Sequence, residues 1–352
     1  MDQAFRMYGN PSSIHEEGRY ARSLIDEARV NLARLLNCDH RRLVFTSGGT
    51  EANNLAILGA ARANRDRGKH IITSAIEHSS VLASCRQLER EGFEVSYVQP
   101  THEGIIPAES VSNAMRSDTI LVSVMMANNE VGTLQPVSEI AEVAHRNRAI
   151  VHTDAVQALG KVPVDVTALG VDLLSVSSHK IYGPKGAGAL YHDPDVILQP
   201  LAFGGSHESG LRPGTENSLS IHGFGVAADL FATEGLPDFL PMRNELQDGL
   251  EKRSMRILCK EAPRLPNTLN FYSESWLGES MVMGLDLEGI AVSNGSACAA
   301  GIIEPSHVIV ALGYNEEIAR SVIRVSFGKF TKSGEIDRFL KVLEGLHTRV
   351  LS

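Results

Sequence analysis

The sequence has no excess of positive charge, no long apolar run and few cysteines, and each shortage removes a class of function. Lys and Arg number 33 against 42 Asp and Glu, a formal charge of −9. A broad nucleic-acid surface needs clustered positive charge, so direct nucleic-acid binding is not expected. No run of about 18 apolar residues is present to span a bilayer. The opening Met1-Asp2-Gln3-Ala4-Phe5-Arg6 lacks the apolar core of a signal peptide. Together these absences predict a soluble, cytoplasmic protein with no membrane partner. The cysteines, at positions 38, 85, 259 and 298, are too scattered for a C-x-x-C metal pattern and too few for a disulfide framework. They read as reduced thiols, and no metal site is expected. Nucleotide-binding loops are also missing. The pairs Gly68-Lys69, Gly160-Lys161 and Gly328-Lys329 lack the earlier glycine of a P-loop, and Gly183-Pro184-Lys185-Gly186-Ala187-Gly188 has the wrong spacing for a dinucleotide fingerprint.

What is present is an alternation of strand and helix patterns. The 352 residues, 43% of them hydrophobic, bury a substantial core and suggest about two domains. Strands are expected at Leu43–Thr46, His70–Thr73, Glu94–Val98, Ile120–Met126, Ala149–Thr153, Leu173–Ser177 and Gly188–Tyr191. The segments between them are mostly helical, as in Leu55–Arg65, Val81–Glu91 and Pro136–Asn147. Ile120–Met126 is nearly apolar throughout, which fits a strand buried on both faces. The fold class is therefore α/β with a mainly parallel sheet. Near Gly235-Leu236-Pro237 the pattern changes to strand, helix, strand, helix over Thr268–Tyr272, Gly278–Leu287, Ile323–Ser326 and Ser333–Val350. A large α/β domain over 1–235 and a smaller α+β domain over 236–352 follow.

Candidate chemistry collects at the strand ends. Asp154 follows one strand and Lys180 follows another. A lysine amine and a carboxylate suit pyridoxal phosphate, which needs a Schiff base to hold it and an acid partner for its pyridine nitrogen. The same pair also occurs in ordinary strand-end turns. Thr46-Ser47-Gly48-Gly49-Thr50 lies between a strand and a helix, so its backbone N–H groups offer a cradle for one phosphate. Cys298 lies in Ser293-Asn294-Gly295-Ser296-Ala297-Cys298-Ala299-Ala300-Gly301, where small residues leave backbone freedom. That composition fits an accessible, reactive thiol, or a loop kept small for steric reasons. Cys85 and Cys259 sit in apolar surroundings and read as buried small hydrophobes, and Cys38 as structural.

The ordered motifs Thr46-Ser47-Gly48-Gly49-Thr50-Glu51, Glu77-His78, Asn128-Asn129-Glu130-Val131-Gly132, His152-Thr153-Asp154-Ala155-Val156-Gln157, Ser177-Ser178-His179-Lys180, Arg212-Pro213-Gly214-Thr215 and Gly295-Ser296-Ala297-Cys298 resemble those of the cysteine desulfurases. These form the NifS/IscS-like branch of the fold type I pyridoxal-phosphate enzymes. The resemblance runs from about Gly9-Asn10-Pro11 to the C-terminus and implies that Lys180 holds the cofactor, Asp154 pairs with its pyridine nitrogen, Gln157 binds its phenolic oxygen and His78 stacks on its ring. It further implies phosphate ligands at Gly49, Thr50, Ser177 and His179, with Thr215 reaching the cofactor of a second subunit in a homodimer. Asn129 and Arg324 match positions that bind the substrate carboxylate. Cys298 would take sulfur from L-cysteine as a persulfide and leave L-alanine. The expected partner is a sulfur-acceptor protein of an iron–sulfur scaffold, transfer-RNA thiolation or DNA phosphorothioation pathway. The competing expectations are a selenocysteine lyase or other fold type I aminotransferase-like enzyme, and a shortened non-catalytic partner protein. Relatives carry an Asn-Ala-Thr-Thr-like strand ahead of the Gly9-Asn10-Pro11 position, and some carry a longer tail; neither is in this sequence. This implies either a shortened member with an altered pocket or an incomplete start, and reduced activity or dependence on a partner fits both.

Overall fold

The computed structural model describes residues 8–294 and 305–351. They form two compact units. The first comprises the chain up to Val98, Pro107–Met126 and Pro136–Leu236, and the second comprises Gln99–Ile106, Ala127–Gln135 and the chain from Pro237 onward.

In the first unit, β1 (Leu43–Thr46), β2 (His70–Ser74), β3 (Glu94–Val98), β4 (Thr119–Ser123), β5 (Ile150–Asp154), β6 (Leu173–Ser177) and β7 (Gly188–His192) make one sheet in the order β1-β7-β6-β5-β4-β2-β3. The pairs β3–β2, β2–β4, β4–β5 and β5–β6 are parallel, whereas β7 runs antiparallel to both β6 and β1. Strands β1, β2, β4, β5 and β6 are buried at every residue, as expected of a sheet covered on both faces. The expectation of a mainly parallel α/β sheet holds. Two antiparallel steps bring β1 back into the direction of β6, so the ends of β1, β2, β4, β5 and β6 share one sheet edge.

Beyond Ser123 the chain leaves strand geometry but continues to bond β5, with Val124 N donating to His152 O at 3.1 Å and Met126 N to Asp154 O at 2.9 Å. Just past β2, Glu77 is fully buried and its Oε1 accepts from Ser74 Oγ at 2.5 Å and from Met125 N at 2.9 Å. This carboxyl ties the exit of β2 to the exit of β4.

Helix Glu16–Leu36 buries Ala21, Leu24, Ile25, Ala28, Leu32 and Leu36, spaced to form one helical face. The side chain of His15 caps its start and Asn37, at φ 52°, ends it. It packs on helix Ser218–Glu234 so closely that a Cβ on Gly225 would lie 2.3 Å from the Ala28 Cα.

In the second unit β8 (Arg256–Ile257), β9 (Thr268–Tyr272) and β10 (Ile323–Ser326) form an antiparallel sheet in the order β10-β9-β8. Its core joins Leu269, Phe271, Ile323 and Val325 to Leu246, Leu285, Phe339 and Leu343 from helices. The division expected at 235/236 omits two earlier segments from this unit. Ala127–Gln135 folds back through an Ala127–Leu134 bridge and bonds the later chain, with Leu134 N to Pro263 O at 2.8 Å and Leu265 N to Gly132 O at 2.8 Å. Gly104 O in turn accepts from Thr133 and Gln135. Contacts within the fold, rather than sequence position, assign these segments.

Two outcomes follow. Gly225→Ala places a methyl group against helix backbone, and overpacking of this kind costs about 1–3 kcal/mol. The variant should show a lower thermal midpoint than the unsubstituted protein, and an unchanged midpoint would mean that the helix pair relaxes freely. Burial holds the Glu77 carboxyl at about 8, above its ordinary 4.5. The folded protein therefore keeps a proton that the unfolded chain has released. This contribution to stability is complete below 4.5 and is lost as pH rises to about 8. Glu77→Gln retains the acceptor but cannot titrate, so its denaturation free energy should fall less across that window. Parallel curves for the two proteins would exclude Glu77 as the titrating group.

Candidate active site

The edge shared by β1, β2, β5 and β6 gathers most of the residues singled out in the sequence. Asp154 ends β5 and is 6% exposed. Its Oδ2 accepts from Asn53 Nδ2 at 2.7 Å and its Oδ1 from Val156 N at 2.9 Å. Burial pushes its pKa up, while the Asn53 and Val156 bonds and the charges of His78 and Lys180 act in the opposite direction. His78 and Lys180 thus both lie within electrostatic reach of Asp154.

Lys180 is half-buried in a short 3-10 turn, Ser178–Ile181, that directly follows β6 and closes on Tyr182 in the left-handed region at φ 65°. In the same turn Ser177 Oγ lies 2.9 Å from His179 Nδ1. Burial, together with the charges of Lys180, Lys185 and Lys161, holds His179 below its usual range. Three ammonium groups therefore raise the local positive potential. Opposite them, helix Gly49–Ala63 starts at Gly48 with no side-chain cap, leaving its first N–H groups and dipole to face a ligand. A Cβ on Gly49 would fall 2.7 Å from Val156 Cγ2 and 3.7 Å from Ser177 Cβ. Only a glycine lets this turn lie against the exits of β5 and β6. Thr50 is exposed in the first turn of the helix.

His78 caps helix Ser79–Arg90, its Nδ1 accepting from Ser80 N at 3.2 Å and lying 2.8 Å from Ser80 Oγ. Gln157 stands in the turn after β5, where Lys161 Nζ donates to its main-chain oxygen at 2.8 Å and to Oε1 at 3.3 Å. Thr215 is not brought into this group; it is exposed on the loop before helix Ser218–Glu234.

The second unit holds the two residues matched to a carboxylate. Arg324, on β10, donates from Nη1 to Asn129 O at 2.6 Å. Its Nε and the Asn129 Oδ1 are both buried without a hydrogen bond among the described residues. Burial lowers the pKa of Arg324 and the nearby Glu130 raises it. A planar guanidinium with an unused N–H is suited to a carboxylate ligand. Asn128 Oδ1 shapes the loop by accepting from Glu130 N at 2.8 Å and Val131 N at 3.0 Å, and Glu130 Oε2 accepts from Ser306 Oγ at 2.5 Å. Cys298 lies outside the described residues; Ser293, ahead of it, is bridged to Arg324. Cys38, Cys85 and Cys259 are free thiols, and burial pushes each up to about 12.

Sequence reasoning missed Asn53 and Ser80, which are buried next to the predicted groups. The available signal was an asparagine set among Ala52, Leu55, Ala56 and Ile57 on the buried side of its helix.

These residues fit pyridoxal phosphate. A buried carboxylate beside a lysine matches a protonated pyridine ring and its linkage, and the uncapped helix start with Ser177, His179 and nearby ammonium groups matches a phosphate dianion. The comparisons with known proteins agree with this fit. The Aminotransferase class-V family model matches residues 1–339. Cysteine desulfurase IscS of Dictyoglomus turgidum is 45% identical over 343 residues, covering 96% of this chain and 87% of that protein. A solved NifS-like protein superposes with a TM-score of 0.90 at 35% identity, covering 97% of this chain and 92% of the other. The structure of SspA in complex with cysteine superposes at 0.81 with 36% identity, covering 93% of each chain. The chain belongs to the class-V aminotransferase family, in its pyridoxal-phosphate-dependent cysteine desulfurase branch.

Proposed function

We propose that this cysteine desulfurase transfers the sulfur of L-cysteine to Cys298 as a persulfide, releases L-alanine, and passes the sulfur to an acceptor protein. The observation that carries the reading is the buried Asp154 carboxylate with Lys180 and His78 in its field at the exits of three strands. The bound cofactor supplies an electron-accepting ring that eases loss of the substrate's α-proton. Asp154 would keep the ring nitrogen protonated, Gln157 would bond the phenolic oxygen, and Gly49, Thr50, Ser177 and His179 would hold the phosphate. Lys180 would hold the cofactor covalently, and its amine would carry the substrate's α-proton. Arg324 and Asn129 bind the substrate carboxylate.

Cys298 then attacks as thiolate. A sulfur–sulfur bond forms, the substrate carbon–sulfur bond breaks, the β-carbon takes up a proton, and the α-carbon recovers the proton carried by Lys180 to complete alanine. The substrate sulfur remains on the enzyme as Cys298–S–SH. Of the other cysteines, Cys38, Cys85 and Cys259 are held as thiols by burial, which disfavours them as nucleophiles.

The protein works as a cytoplasmic homodimer in this reading. The exposed Thr215 is free to meet a second copy's phosphate, and no helix among the described residues is long and apolar enough to cross a membrane. Similarity to an IscS enzyme supports an iron–sulfur scaffold as acceptor. The formal charge of −9 favours delivery to a protein over contact with transfer RNA or DNA.

Lys180→Ala should lose the visible absorbance of covalently held cofactor and fall to background alanine production. A borohydride-fixed protein adduct at normal stoichiometry would refute its role. Cys298→Ser should keep that absorbance and still bind L-cysteine, but form no persulfide, because a hydroxyl cannot carry the transferred sulfur. Mass spectrometry after brief exposure to L-cysteine checks this. A persulfide found mainly on Cys38, Cys85 or Cys259, or undiminished turnover in Cys298→Ser, would overturn the mechanism.

A further inference from the structure

An unbroken line of hydrogen bonds joins His78 to Asp154 inside the first unit, through two residues with no role in the chemistry above. Asn53 Nδ2 lies 2.7 Å from Asp154 Oδ2 and 2.9 Å from Ser80 Oγ. The carboxylate accepts only, so the Asn53 amide must turn its nitrogen toward it, and the second amide hydrogen goes to Ser80. Ser80 Oγ, already an acceptor, has its own hydrogen left for His78 Nδ1 at 2.8 Å. The Ser80 backbone N–H, which can only donate, is directed at the same nitrogen from 3.2 Å. Two donors converge on Nδ1, so the neutral imidazole carries its proton on Nε2. Asn53 is 1% exposed and Ser80 6%, whereas His78 is exposed. The selecting groups are therefore shielded from water, and the ring they orient is open to a ligand.

We propose that Asn53 and Ser80 are positioning residues that lock His78 as the Nε2–H tautomer and couple its orientation to the Asp154 carboxylate. The line diverges from Asn53, which donates to Asp154 and to Ser80, and Ser80 passes a donor on to the ring. His78 consequently meets cofactor or substrate as a hydrogen-bond donor, and accepting the α-proton falls to Lys180. Taking up a proton on Nδ1 would require Ser80 to turn its hydroxyl away and would place two donors against each other. This inference rests on the roles proposed for His78 and Asp154, and it divides the proton work between His78 and Lys180.

The test is nitrogen-15 NMR of histidine-labelled holoenzyme, with the His78 signals identified by their loss in His78→Asn. The unsubstituted protein should show Nδ1 as the unprotonated nitrogen and Nε2 as the protonated one. Ser80→Ala removes the hydroxyl while leaving the Asn53 bond to Asp154, and should raise the share of the Nδ1–H tautomer. Its kcat should fall about tenfold, a part of the ~10²–10⁴ that general acid–base groups contribute. KM for L-cysteine should stay near that of the unsubstituted enzyme, while the thermal midpoint falls because the buried Asn53 amide loses an acceptor. A change in packing alone would leave the tautomer signal where it was. An Nδ1–H tautomer in the unsubstituted enzyme, or an unchanged tautomer ratio in Ser80→Ala, would overturn the proposal, and the first of these measurements needs no variant to fold. If the tautomer behaves as expected but His78→Ala turns over normally, the positioning inference stands and the role assigned to His78 in the reaction fails.

Discussion

The site depends on keeping one carboxylate buried and oriented at the end of β5. A buried carboxyl ordinarily takes up a proton, because the charged form loses its hydration. Asp154 faces that penalty at 6% exposure, and two hydrogen bonds, from Asn53 and from Val156 N, offset it in part. The positive charge of Lys180 adds to the offset. A protonated pyridine nitrogen would continue the same compensation, so the group that Asp154 is suited to hold also favours its charged form.

The sheet makes this arrangement possible by fixing the strand sideways without charge. His152, two residues before Asp154 on the same face of β5, is fully buried and lies 2.8 Å from Ser123 Oγ on β4 and 3.0 Å from Ser175 Oγ on β6. Burial drives its pKa down to about 3, so it stays neutral at physiological pH and links three strands by hydrogen bonds alone. A cation there would have competed with Lys180 for Asp154. The structure instead reserves its positive charge for the turns beyond the strand ends, where His179 feels Lys180, Lys185 and Lys161.

Much of this was legible in the sequence because the chemistry is concentrated where periodic patterns stop. Asp154, Ser177 and Lys180 fall at the ends of apolar strand runs, and Gly48–Thr50 falls between a strand and a helix, so their places on one edge follow from a parallel sheet. Asn53 and Ser80 were not legible in the same way. They are ordinary polar residues inside helices, and their meaning appears only when two helix starts and a strand end converge on Asp154. The assignment of Gln99–Ile106 and Ala127–Gln135 to the second unit was likewise hidden, since it depends on hydrogen bonds to chain more than a hundred residues later. Arg324 was matched as a carboxylate ligand, but the buried, unpaired Asn129 Oδ1 beside its loop is a property of the folded chain.

Glu77 completes the electrostatic logic. It precedes His78 in sequence, is fully buried, and feels the negative charge of Asp154, which adds to burial in raising its own pKa. Two buried carboxyls that interact do not ionise equally; the one with the better partners takes the charge. Glu77 has hydrogen bonds from Ser74 and Met125 N, whereas Asp154 has hydrogen bonds and the Lys180 ammonium within reach. Burial raises the pKa of both acids, and the charge of Lys180 acts against that rise at Asp154. Environments that separate the protonation of two nearby acids assign them different work. Here the Glu77 carboxyl joins the exits of β2 and β4, and the Asp154 carboxyl ends β5 within reach of the Lys180 charge.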